Sequence, residues 1–67
     1  MISEATKSRF AREVAKYPPE QAQSAVMACL AIVQQEQGHV SPESEREIAD
    51  YLGIAPMAVH EVTTFYN

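Results

Sequence analysis

Few side chains in this 67-residue chain could do chemistry, and the first to consider is its single cysteine. Cys29 stands inside Ala25-Val26-Met27-Ala28-Cys29-Leu30-Ala31-Ile32-Val33, a run without one polar side chain. Burial in such a run disfavours the thiolate that a nucleophile or metal ligand needs, so the position predicts an inert core thiol. One cysteine also forms no intramolecular disulfide and supplies no four-cysteine metal or iron–sulfur site. Glu36-Gln37-Gly38-His39 contains one Glu-x-x-His, the half-motif that di-iron bundles use in pairs on facing helices. Only one copy is present and Gly38 ends the helix between the two ligands, which points to a polar helix end instead of a metal site. His60 and Glu61 are sequence neighbours, about 100° apart on a helix, and form no acid–base pair. Both glycines, Gly38 and Gly53, read as helix ends, which leaves no glycine-rich phosphate loop.

One larger arrangement has functional form. Ile48-Ala49-Asp50-Tyr51-Leu52, then Gly53, then a second apolar helix from Pro56 has the layout of a helix-turn-helix. The would-be recognition helix, Pro56 to Tyr66, contains no Lys, Arg, Asn or Gln and cannot make the bidentate base contacts of direct readout. The charge distribution points the same way. Residues 1–16 carry Lys7, Arg9, Arg12 and Lys16 against Glu4 and Glu13, whereas 17–67 carry only Arg46 against seven carboxylates. That acidic bulk would repel phosphate.

The elements that must position these residues are helices. The Ala25–Val33 run is apolar around the whole helical circumference, so it needs neighbours on several sides, and it is less than half the roughly 20 residues that span a bilayer. It predicts a buried central helix over residues 21–37, opened by Pro18-Pro19 and closed by Gly38. Before it, Ser3 fits as a cap and Phe10, Val14 and Tyr17 form one apolar stripe that ends at the prolines. After it, Ser41 as cap and Pro42 as first residue predict a third helix to Leu52, with Glu43 and Glu45 at its positive end. A fourth starts near Pro56; its β-branched and aromatic Val62-Thr63-Thr64-Phe65-Tyr66 would also suit a strand, but Pro56 and the i, i+4, i+7 spacing favour a helix. The expected fold is an all-α bundle of three main helices plus a short C-terminal one, a single domain over 1–67 with a core of Val26, Leu30, Ile32, Val33, Ile48, Leu52, Val59 and Val62. Met1 to Ala15 show no secretory apolar core, so neither export signal nor membrane anchor is expected, and the lone cysteine fits a reducing, cytoplasmic setting.

Five blocks then carry a resemblance: Lys16-Tyr17-Pro18-Pro19-Glu20-Gln21, Gln23-Ser24-Ala25-Val26-Met27, Gly38-His39-Val40-Ser41, Ile48-Ala49-Asp50-Tyr51-Leu52-Gly53 and Val59-His60-Glu61-Val62-Thr63-Thr64-Phe65-Tyr66. Over residues 16–67 the chain resembles the E-type subunits of NADH:quinone oxidoreductase, respiratory complex I, with related subunits in NAD-linked hydrogenases and formate dehydrogenases. The resemblance implies a helical domain that precedes a thioredoxin-like domain, whose four cysteines hold a 2Fe-2S cluster beside a flavoprotein subunit carrying FMN and NADH. Cys29 matches none of those cysteines. The expectation is therefore a catalytically silent docking and positioning domain that binds no cofactor itself. Its implied partners are the flavoprotein subunit and the C-terminal thioredoxin-like domain, with no nucleic acid and no membrane insertion, in the cytoplasmic peripheral arm of the complex. The surface expected to dock comprises Val59, His60, Thr63, Phe65 and Tyr66. His60 and Thr63 stand where the family usually has tyrosine and alanine, which hints at a different partner surface. Two other readings stay open: a helix-turn-helix-like DNA-binding or protein-interaction module, and a C-terminal aromatic pair that merely completes the core.

Overall fold

The computed structural model describes residues 3–66, and of Tyr66 the backbone alone. It contains α1 (Glu4–Val14), a 3-10 turn (Pro19–Gln21), α2 (Ala22–Gln37), α3 (Pro42–Leu52) and α4 (Pro56–Tyr66). No strand occurs among the described residues, and the architecture is the small all-α bundle that the periodicity predicts. The α1 helix lies along α2, while α3 and α4 lie against each other and both against α2. The central run thus has neighbours on several sides. Val26, Cys29, Leu30, Ile32 and Val33 are buried, and of the large residues in the run only Met27, 44% exposed, looks outward.

Local chemistry sets each boundary. Ser3 caps α1 by accepting the Thr6 amide hydrogen at 3.1 Å. Regular helix gives out at Val14, sooner than the apolar stripe suggests, because Pro18 pushes Tyr17 out of helical geometry. The chain leaves through tighter bonds from Lys16 N to Glu13 O and from Tyr17 N to Val14 O, both 3.1 Å. Gly38 and Gly53 end α2 and α3 in the left-handed region, at φ of 84° and 72°. A Cβ added at either position would meet nothing within 4 Å, so backbone conformation alone selects glycine there. The end of α4 is helical, as Pro56 and the spacing predict. Thr63 and Thr64 donate their hydroxyls to the carbonyls of Val59 and His60, at 3.0 and 2.9 Å, so both polar groups are satisfied within the helix.

The core joins Phe10 of α1 to Val26, Leu30 and Val33 of α2, Ile48 and Ala49 of α3, and Val59 and Val62 of α4. Two corrections to the expected core follow. Leu52 is only partly buried, since it is the last residue of α3 and packs at the edge, whereas Phe10 is wholly buried and meets Tyr51 edge-on at 5.4 Å between ring centroids. Burying a ring of that size is worth about 1.5–3 kcal/mol, so Phe10 is the main anchor of α1.

The C-terminal end of α2 is a second anchor. Arg9 donates to Glu36 and Gln35 at 2.9 Å each, and the Thr6 hydroxyl donates to Glu36. With that proton committed, the Ser3 hydroxyl donates to Thr6 Oγ1 at 2.9 Å. A matching relay binds α3: Ser41 Oγ donates to Ser44 Oγ at 3.1 Å, which donates to Gln37 at 3.2 Å. Two adjacent side chains of α2 therefore hold the capped starts of two helices.

Candidate docking site

Val59, Val62 and Thr63 turn inward on α4, and His60, Glu61, Thr64 and Phe65 turn outward. The five residues expected at a docking surface accordingly separate. Val59 is wholly buried, and Thr63, 7% exposed, is spent on the Val59 carbonyl. His60 and Phe65 lie on the surface, and the Tyr66 side chain falls outside the described residues. Phe65 is 84% exposed, more than any other large apolar side chain described.

Phe65 stands at one wall of an open groove of about 740 Å³ between the start of α2 and the outer side of α4. Ala22 and Val26 of α2, Ile54 of the α3–α4 turn, and Ala58 and Val62 of α4 supply its remaining apolar lining. Gln23, His60, Glu61 and Thr64 form the polar rim, which contains no lysine or arginine. A smaller apolar hollow continues from it, sharing Ala22 and Ile54 and reaching Tyr17, Pro18 and Leu52. Apolar surface thus runs from the end of α4 to the proline turn.

Ile54 and Ala22 were missed as site residues. Ile54 had a readable signal: after a helix-ending glycine, the next residue often donates its amide back to the last turn and packs its side chain inward. Here Ile54 N donates to Ala49 O at 3.0 Å, which aims the side chain at α2. Ala22 had none, because its role depends on how α4 crosses α2.

One polar contact braces the rim. Glu45 of α3 is 9% exposed and its carboxylate accepts from His60 Nδ1–H at 3.1 and 3.3 Å to the two oxygens. A buried carboxylate is costly without such a donor, so His60 fixes α4 on α3 while most of its ring remains in water.

The other chemical candidates take structural roles. Glu36 is the α1–α2 tether; the Thr6 hydrogen bond, and then Arg9, hold its carboxyl below its ordinary value. His39 is exposed on the loop beyond Gly38. Burial pushes the Cys29 thiol up to about 11. Among the described residues no three His, Cys, Asp or Glu side chains converge as a metal site. The helix-turn-helix layout exists in α3, the Gly53 turn and α4, but the outward side of α4 carries a carboxylate and an aromatic ring and no lysine or arginine.

Comparison with known proteins accounts for this combination. The thioredoxin-like 2Fe-2S ferredoxin family matches residues 10–67. NADH-quinone oxidoreductase subunit 2 of Thermus thermophilus is 45% identical over 62 residues, which cover 91% of this chain and 34% of that protein. The first of two numbered E-type NADH-quinone oxidoreductase subunits of Rhizobium meliloti is 42% identical over 54 residues, 81% of this chain and 20% of that protein. The mitochondrial NADH dehydrogenase (ubiquinone) flavoprotein 2 of Dictyostelium discoideum is 39% identical over 55 residues, 81% and 22% of the respective chains. The chain spans about a third of the first of these relatives and about a fifth of the other two. No solved structure matches it. Over nearly its whole length, then, this chain belongs to the thioredoxin-like 2Fe-2S ferredoxin family, as the N-terminal helical region of an E-type NADH-quinone oxidoreductase subunit.

Proposed function

We propose that this chain is the docking and positioning part of its subunit, seating it against the flavoprotein, NADH-binding subunit and the thioredoxin-like domain. In that role it supports electron transfer from NADH by holding a neighbouring cluster in place, and takes no chemical step itself. The observation that carries the reading is Phe65, 84% exposed beside an apolar groove. Covering that ring would be worth on the order of 1.5–3 kcal/mol, a gain that the bundle leaves unused.

The donors of this chain do not fit the cluster that the family name implies. A 2Fe-2S centre takes four thiolates, or two with two imidazoles, and the chain has one cysteine, wholly buried with a thiol that resists ionisation. The cluster belongs, in this proposal, to cysteines elsewhere in the longer subunit, and residues 1–67 act as one helical domain beside it. The proposed place of that domain is the cytoplasmic peripheral arm of the complex; no helix among the described residues is long and apolar enough to cross a membrane. A rim without lysine or arginine favours protein over nucleic acid as the partner.

The test is reconstitution of the full-length subunit with its flavoprotein partner. Phe65→Ala is expected to weaken assembly about tenfold, the loss typical of a truncated interface aromatic, while the 67-residue chain melts at an unchanged temperature. Assembly that falls only in step with lost melting temperature would make Phe65 a core residue and remove the proposal.

A further inference from the structure

We propose that the α2–α4 groove receives an amphipathic helix of the partner, apolar on one side and flanked by lysine or arginine. This rests on the docking reading and specifies the chemistry of what docks. The groove floor is aliphatic, with Phe65 standing beside it as a projecting anchor, and the apolar strip continues past Ile54 toward Tyr17. Grooves of this kind take helices whose apolar residues recur at i, i+3, i+4 and i+7. A helix matched to the longest dimension of the molecule, 28 Å, has about 18 residues at 1.5 Å each.

Charge selects among occupants. Glu61 lies on the rim, the Glu45 carboxylate behind it is held by His60, and the rim has no lysine or arginine to answer Glu61. Residues 17–67 as a whole hold seven carboxylates and one arginine. A second copy would bring the same acidic rim and a net charge of −4 against it, and like charges across an interface are costly. A small apolar ligand is disfavoured for another reason. Pockets for such ligands fix orientation with a few convergent polar groups, and here no buried side-chain polar atom among the described residues is left without a partner to do so. A helix with cationic flanks satisfies both the apolar floor and the acidic rim.

The experiment uses the 67-residue chain, after circular dichroism has established that it and each variant are helical, and a fluorescent helical peptide of about 18 residues with leucine at i, i+3, i+4 and i+7 and lysine flanks. A counterpart carries glutamate in place of lysine. In about 0.15 M salt the lysine peptide is expected to bind saturably and the glutamate peptide about tenfold more weakly or not at all. Phe65→Ala should weaken the lysine peptide about tenfold, and Glu61→Lys should narrow or invert the preference between peptides. Equal binding of the two peptides, binding indifferent to Phe65→Ala, or no saturable binding would each overturn the proposal. So would a concentration-dependent dimer in sedimentation that Phe65→Ala abolishes, since a second copy would then be the occupant. Because assembly with the flavoprotein subunit is read separately, these failures leave the docking role standing and remove only the partner chemistry.

Discussion

Glu36 shows how little of this chain's polar chemistry is spare. Its carboxylate accepts from Thr6 and Arg9, both on α1, and those contacts hold its proton affinity below the ordinary carboxyl value of 4.5. The unfolded chain therefore binds that proton more readily than the folded one. Stability from this carboxylate is present in full above about pH 4.5 and is lost as pH falls through the lowered folded value. In melting curves between about pH 6 and 3, the unsubstituted chain should lose more than Glu36→Gln does, and Thr6→Val should shrink the difference; parallel curves would show that the tether contributes nothing. Cys29, its thiol pushed up to about 11 and wholly buried, should react with thiol reagents at neutral pH only as fast as the bundle opens, checked by comparing labelling rate with amide exchange. Gly38 at φ 84° makes a third case: Gly38→Ala should cost about 1–2 kcal/mol by denaturant titration, although the added methyl group meets open space.

At the scale of elements, α1 depends on few contacts. Phe10 is its one large wholly buried side chain, and Phe10→Ala should cost about 3–5 kcal/mol. A chain of 67 residues has roughly 3–10 kcal/mol of total stability, so that variant should show a broad, weakly cooperative thermal transition by circular dichroism. What could be read from sequence divides along the same line. The starts at Ser3 and Ser41, the stops at Gly38 and Gly53 and the buried run around Cys29 were legible because each is set within a turn or two of its own residues. The complete burial of Phe10, Ser44 reaching Gln37 and His60 reaching Glu45 were not, since each depends on how helices cross. The phase of α4 was half legible. Val59 was expected both in the core and on the docking surface, and packing along the line through Val59, Val62 and Thr63 keeps it in the core and turns Thr63 inward beside it.

At the scale of the whole molecule, basic α1 is tied down by Arg9 to Glu36 on one side of α2, and the acidic remainder presents the groove on the other elements. Among the described residues that surface carries an acidic rim, an apolar floor and the exposed Phe65 ring, and in the proposed role another protein surface covers it. Raising salt should weaken partner association while leaving the apolar contribution of Phe65 in place, because exposed charges more than about 8 Å apart are screened at physiological ionic strength and burial of a ring is not. The most direct measurement is amide hydrogen exchange of the full-length subunit, alone and in complex with its flavoprotein partner. The first turns of α2 around Ala22–Val26 and the outer side of α4 from Ala58 to Phe65 should slow by about tenfold or more on assembly, with α1 unchanged. Unchanged exchange in both segments, with protection confined to α1 or to residues outside this chain, would contradict the docking role of the groove.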